Sequence, residues 1–248
     1  MDDAVEIPRG TLGTVRNATL LLDLLSEGAA FQQLTDLAER SDLSLPTVHR
    51  LLRSLAAAGL VEQDPDSLRY GLGPELVRLA ERYVSRLQIS SAVSPYLVEL
   101  RNATRATVLA AVLVRGSIVY IDRVDGDDAG GIFREPVRIR PALECAAGRL
   151  LAARGDTDGW KQAVAASLNG REFTLHDRES WATAPYVVVV VDAQNAAEVA
   201  VPVSGARSPA SLVATGSTDR FTERILAEEI VPQLTRAAAA VSRTLSHA

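Results

Sequence analysis

One cysteine, one lysine, one methionine and three histidines are all that 248 residues supply of those side chains, and each scarcity closes off some chemistry. With Cys145 alone there is no intramolecular disulfide and no multi-cysteine metal centre, so a packed thiol in a reducing compartment is expected. His49, His176 and His247 do not stand at metal-ligand spacing from one another. Lys161 is the sole lysine and no G-x-x-x-x-G-K-S/T loop surrounds it, which excludes a P-loop nucleotide enzyme. His176-Asp177 near Ser180 invites a hydrolase triad, but no G-x-S-x-G elbow accompanies it, and the segment reads as a polar surface loop. Gly205-Ala206-Arg207-Ser208 reads as a strand connection rather than an anion-binding turn. No apolar run approaches the ~18 residues needed to span a bilayer. The amino terminus, MDDAVEIPRG, has neither a basic leader nor an apolar core. A cytoplasmic protein is expected, without cofactor, metal, membrane partner or catalytic function. Aromatics are 4% of residues, so cores must be built from the Leu, Val and Ala that dominate a 47% hydrophobic chain.

Positive charge is also short. The net charge is −5, and the first ninety residues carry more acids than bases. Any nucleic-acid footprint must therefore be local.

One stretch has the local features required. Ser44 precedes Leu45 and Pro46 as a helix cap would, with proline tolerated in the first turn. Val48, Leu51, Leu52 and Leu55 then repeat at i, i+3, i+4 and i+7, one apolar stripe. Pro46, Arg50 and Arg53 fall on the opposite face, flanked by Thr47, His49 and Ser54, and Gly59 stops the helix. Upstream, Val15, Ala18, Leu22 and Leu25 predict one amphipathic helix, and Leu34, Leu37 and Ala38 a shorter one. Arg40 to Leu43 form the tight connection. Downstream, Leu60–Gln63 and Leu68–Leu72 read as strands around an Asp64-Pro65-Asp66-Ser67 turn. Three helices and a hairpin make a winged helix-turn-helix. Its duplex-facing residues would be Ser44, Pro46, Thr47, His49, Arg50, Arg53 and Arg69, with Arg40 adding charge and the wing aspartates opposing it.

After Pro74 a further helical pattern runs to about Leu87, with a break at Gln88–Ser91 and a helix over Val93–Thr104. Val108–Val114 and Ile118–Val124 predict a hairpin reversed at Gly116, followed by an acidic, glycine-rich loop at Asp125–Gly131. Val137–Pro141 predicts a strand, Ala146–Arg154 and Trp160–Leu168 helices, and the valines of Val187–Val191 a buried strand. Ala200–Val203 and Leu212–Thr215 predict two more strands before a final helix, Thr222 to about Leu245, kinked at Pro232. The fold class is α+β.

The stretch LSLPTVHRLLRSLAAAGLVEQDPDSLRYGLGPELVRLA resembles the DNA-binding half of IclR-type transcriptional regulators. Val137–Leu143, Ala146–Ala152, Ala200–Val203 and Leu212–Gly216 are similar, more loosely, to that family's second half. The resemblance implies a winged helix-turn-helix over residues 11–73, a linker helix over 74–91, and an effector-binding and oligomerisation domain over 92–248, antiparallel and GAF- or profilin-like. It implies a homodimer or homotetramer that binds an operator in double-stranded DNA and acts as a repressor or activator. It implies an effector site at Leu143, Cys145, Ala146, Ala147, Gly148, Glu198, Val213 and Thr215. Small side chains at a helix N-terminus suit a carboxylate. Val213 and Thr215 stand where relatives offer serines, which points to an apolar, even aromatic, organic acid. The alternative is a constitutive regulator whose C-terminal domain only oligomerises.

Overall fold

The computed structural model describes residues 13–127, 139–167, 172–191, 195–206 and 208–246. The expectations for residues 1–9, for Val137, Arg138, Arg207 and His247, and for most of the Asp125–Gly131 loop lie outside them. The chain divides into two compact units, Met1–Tyr83 and Val84–Ala248. Within the span expected as a linker, α4 covers Glu75–Arg86, and α5 (Gln88–Thr104) begins at the expected break and continues through Pro95.

In the first unit, α1 (Gly13–Ser26), α2 (Leu34–Ser41) and α3 (Leu45–Ala57) precede a hairpin of β1 (Val61–Gln63) and β2 (Tyr70–Leu72). Its core is Leu21, Leu25, Leu37, Val48, Leu51, Leu52, Leu55, Val61 and Tyr70. Val15, expected on the inner stripe of α1, is exposed, and Leu21 takes the inward position. The helix-turn-helix connection passes through Asp42 in the left-handed region, whose N–H bonds the last carbonyls of α2. Gly59, at φ +72°, reverses the chain after α3, a conformation L side chains rarely adopt.

The second unit is a six-stranded antiparallel sheet, ordered β5-β4-β3-β8-β7-β6. Its strands are β3 (Thr107–Val114), β4 (Ser117–Val124), β5 (Ile139–Pro141), β6 (Val187–Val191), β7 (Ala196–Val203) and β8 (Ala210–Ser217). One face packs on α5 and the terminal helix α10 (Val231–Ser246) through Val93, Leu97, Leu212, Ile230 and Leu234. The other face packs on α6 (Ala146–Arg154), with α7 (Thr157–Ala165) and α8 (Leu175–Thr183) outside it. The short α9 (Glu223–Ile225) and a π turn at Leu226–Ile230 lead into α10, so the irregularity expected at Pro232 falls in the preceding turn.

Two expectations are corrected. His176, Asp177 and Ser180 lie in α8, not in a loop; a capping box between Thr174 and Asp177 starts that helix although it buries no residue. The valine run is an edge strand rather than a fully buried one: Val187 and Val189 are buried while Val190 is 53% exposed.

Candidate nucleic-acid interface and ligand site

Helix α3 carries its two faces as its sequence spacing requires. Val48, Leu51, Leu52 and Leu55 are buried, while Pro46, His49, Arg50 and Arg53 are exposed and Thr47 is half-buried. Arg69 is exposed at the start of the returning wing strand. Among the described residues, the guanidinium groups of Arg50, Arg53 and Arg69 make no ion pair. They are held away from the core and remain available to phosphate or to base edges.

Two neighbours behave otherwise. Ser44 occupies the N-cap position, and its carbonyl accepts from Thr47 and Val48 N–H, but its hydroxyl makes no capping bond. Instead Ser44 Oγ and Thr47 Oγ1 bond one another at 2.8 Å, tying together two of the expected contact residues. Arg40 is paired at the surface: it donates to Glu27 at 2.9 Å and to Gln32 Oε1 at 2.7 Å, so its charge is already partnered within the unit. Gln32, which sequence reasoning passed over, organises this corner. It is buried, its amide nitrogen donates to the carbonyls of Leu24 and Glu27 at the end of α1, and its backbone pairs with Tyr70 of the wing. In the wing turn, hydrogen bonds from the Ser67 hydroxyl and amide hold the Asp64 carboxyl below its ordinary range. Its charge is turned toward the loop's own donors.

In the second unit the eight expected effector residues do come together. Leu143 lies in a 3₁₀ turn (Ala142–Glu144), Cys145 is the N-cap of α6, and Ala146, Ala147 and Gly148 form its first turn, all fully or nearly fully buried. Beneath them Glu198 of β7 pairs in register with Thr215 of β8, on the same sheet face as Val213. Gly148 has a packing role: a Cβ there would stand 1.9 Å from the carbonyl oxygen of Ala142, so only glycine lets α6 close on the turn that precedes it. Gly148→Ala should destabilise this unit by about 1–3 kcal/mol or more, the range of overpacking in a rigid site. A thermal melt indistinguishable from that of the unaltered protein would show that the turn yields.

The head of α6 is not vacant. Glu198 is only 3% exposed. Its Oε2 accepts the Ala146 N–H at 3.2 Å, one of the donors a helix start leaves without an internal partner. Its Oε1 pairs with Arg140, whose other terminal nitrogen donates to the Glu144 carbonyl at 2.9 Å. Burial opposes the Arg140 cation most strongly, but the Glu198 charge and hydrogen bond, with Tyr120 and Cys145 beside them, together raise the guanidinium pKa. Burial, and then the Glu198 charge, push the Cys145 thiol up to about 12 and hold the Tyr120 phenol well above its ordinary range. Both stay protonated near neutral pH, so Cys145 is no nucleophile there. Arg140 and Tyr120, which sequence reasoning did not single out, adjoin these residues. Among the described residues no cluster of His, Cys, Asp and Glu suits a metal ion, and no helix is long and apolar enough to cross a membrane.

An exposed arginine-bearing helix, whose guanidinium groups are unpaired among the described residues, set on a three-helix core beside a wing, defines a winged helix-turn-helix of the DNA-reading class. Comparison with known proteins narrows this. Residues 14–65 match the IclR helix-turn-helix domain. The chain is 31% identical over 140 residues to the HTH-type transcriptional regulator XynR of Escherichia coli, a match spanning 56% of each chain and so about half of that relative's length. It is 27% identical over 248 residues to the glycerol operon regulatory protein of Streptomyces griseus, covering 94% of this chain and 96% of that one. Its fold matches the crystal structure of an IclR family transcriptional regulator from Brucella abortus, with TM-score 0.78 and 22% identity over 98% of this chain and 96% of that chain. It also matches an IclR homolog from Microbacterium hydrocarbonoxydans complexed with 4-hydroxybenzoate, with TM-score 0.68 and 20% identity over 95% of this chain and all of that chain. The first unit therefore carries an IclR helix-turn-helix domain, and the relatives that the chain resembles are named as regulators.

Proposed function

We propose that this chain is a sequence-specific DNA-binding regulator of the cytoplasm, dimeric or tetrameric, whose second unit senses a small organic acid. The observation that carries the DNA reading is the exposed ridge of α3, where Arg50 and Arg53 make no ion pair among the described residues. In this reading α3 enters the major groove and Arg50 and Arg53 take guanine edges or phosphates. Ser44, Pro46, Thr47 and His49 line the entry of the helix, and Arg69 rests on the backbone from the wing. With net charge −5 and an acidic first unit, one copy has little bulk attraction for a duplex. Two half-sites must add their contacts. Joining two modules raises apparent affinity by ~10²–10⁴-fold. A fragment ending at Tyr83 should therefore bind an operator that much more weakly than the full chain, by mobility shift at equal salt. Equal binding would remove the need for an oligomer.

The effector reading is supported by the convergence of the eight site residues around the first turn of α6 and by the apolar packing of Leu143, Ala147 and Val213 there. The 4-hydroxybenzoate bound by the Microbacterium homolog suggests the chemical class. Binding would act on DNA by favouring one arrangement of the two copies, transmitted through α4. The test is a mobility shift on DNA flanking the chain's own gene, with benzoates and short aliphatic acids added. A benzoate that changes operator affinity supports the reading. A second reading is favoured by Glu198, which already holds the helix start: a constitutive regulator whose second unit only oligomerises. Operator binding indifferent to every acid would favour that one.

A further inference from the structure

We infer that Glu198 is a tethered occupant of the anion position at the head of α6, a built-in competitor that any free carboxylate must displace. The inference rests on reading that position as the effector site. Charged residues rarely sit in the middle of a central strand, and a buried carboxylate is tolerated only when paired and hydrogen-bonded. Glu198 meets both conditions through the Ala146 N–H and Arg140, the contacts a bound acid would use. More polar groups converge here than Glu198 satisfies. Thr215, its register partner on β8, is 2% exposed and its hydroxyl has no hydrogen-bond partner among the described residues. Ser211, farther along the same face of β8, is in the same condition. Buried hydroxyls without partners are uncommon in folded proteins and mark places where water or a ligand completes the set.

The consequence is a rule of selection. A free acid entering beside Glu198 would place two carboxylates around one guanidinium, an arrangement that like-charge repulsion disfavours. Acids therefore bind weakly while Glu198 is in place, and strongly once it swings away or is removed.

Glu198→Ala deletes the equivalent of one acetate, so acetate itself is the probe. Urea and thermal unfolding of the full chain are followed in sodium acetate against sodium chloride at matched ionic strength, with calorimetric titration of acetate and benzoate. Acetate should bind Glu198→Ala at least about tenfold more tightly than the unaltered protein, on the scale of ordinary site coupling. It should raise that variant's unfolding midpoint while leaving the unaltered protein unmoved. Glu198→Gln, which keeps the volume and loses the charge, should gain less. Should Glu198→Ala not fold in chloride, recovery of its fold in acetate is the expected result. Acetate acting equally on both proteins, or on neither, overturns the inference. No DNA enters this test. Operator binding indifferent to acids in the unaltered protein would count against the sensor reading, without touching the occupancy of α6.

Discussion

Arg50→Ala should leave the fold intact and weaken operator binding, flattening its dependence on sequence at one position of each half-site. A bidentate arginine–guanine contact is worth about 1–3 kcal/mol of discrimination. If two copies bind together the loss is felt twice, about 2–6 kcal/mol, which is a fall in affinity of roughly thirtyfold to ten-thousandfold. The same substitution should change unfolding stability by less than about 0.5 kcal/mol, because Arg50 is exposed and makes no ion pair among the described residues. Arg53→Ala offers the contrast. If Arg53 rests on phosphate, its loss weakens all duplexes alike and reduces the salt dependence of binding. Arg40→Ala should do the opposite of both, costing stability through Glu27 and Gln32 with no effect on sequence preference. The informative result is the pattern across the three variants, read by mobility shift on matched and mismatched duplexes.

The second large effect concerns the ion pair beneath α6. Among the described residues, Arg140→Met leaves the buried Glu198 carboxylate with one backbone N–H as its partner. Removing one partner of a buried pair typically costs about 3–5 kcal/mol, because the remaining charge stays desolvated. For a chain of this size that corresponds to a fall of on the order of 10 °C in the unfolding midpoint of the second unit. Replacing both residues, Arg140→Met with Glu198→Met, should recover most of the loss, since a buried pair often breaks even against apolar groups of similar volume. A double variant as unstable as the single one would mean that Arg140 acts through Glu144 rather than through Glu198.

The two units were not equally legible in the sequence. The recognition helix could be read because its signal is local: apolar spacing, a proline in the first turn and a stopping glycine all fall between Ser44 and Gly59. The positions of Leu143, Cys145–Gly148, Glu198, Val213 and Thr215 were marked by resemblance, and they do converge. Their chemistry was not legible. Glu198 stands in an otherwise apolar segment, and its partner Arg140 lies 58 residues earlier, so nothing local announces the pair. Arg40 misled for the same reason, since its partner Glu27 sits in a different segment, 13 residues back. Helix α8 escaped notice because it has no inward stripe; its start is set by Thr174 and Asp177 instead. A run of five valines looks alike on both faces, so it predicts a strand without saying whether that strand lies at the centre or, as β6 does, at the edge.

Selection of bound duplexes from a random-sequence pool tests the central claim most directly. The unaltered chain should enrich an inverted repeat whose half-sites contain guanine at fixed positions, and the Arg50→Ala/Arg53→Ala variant, equally folded, should enrich none. Recovery of the same repeat by that variant would contradict the assignment of α3 as the reading surface.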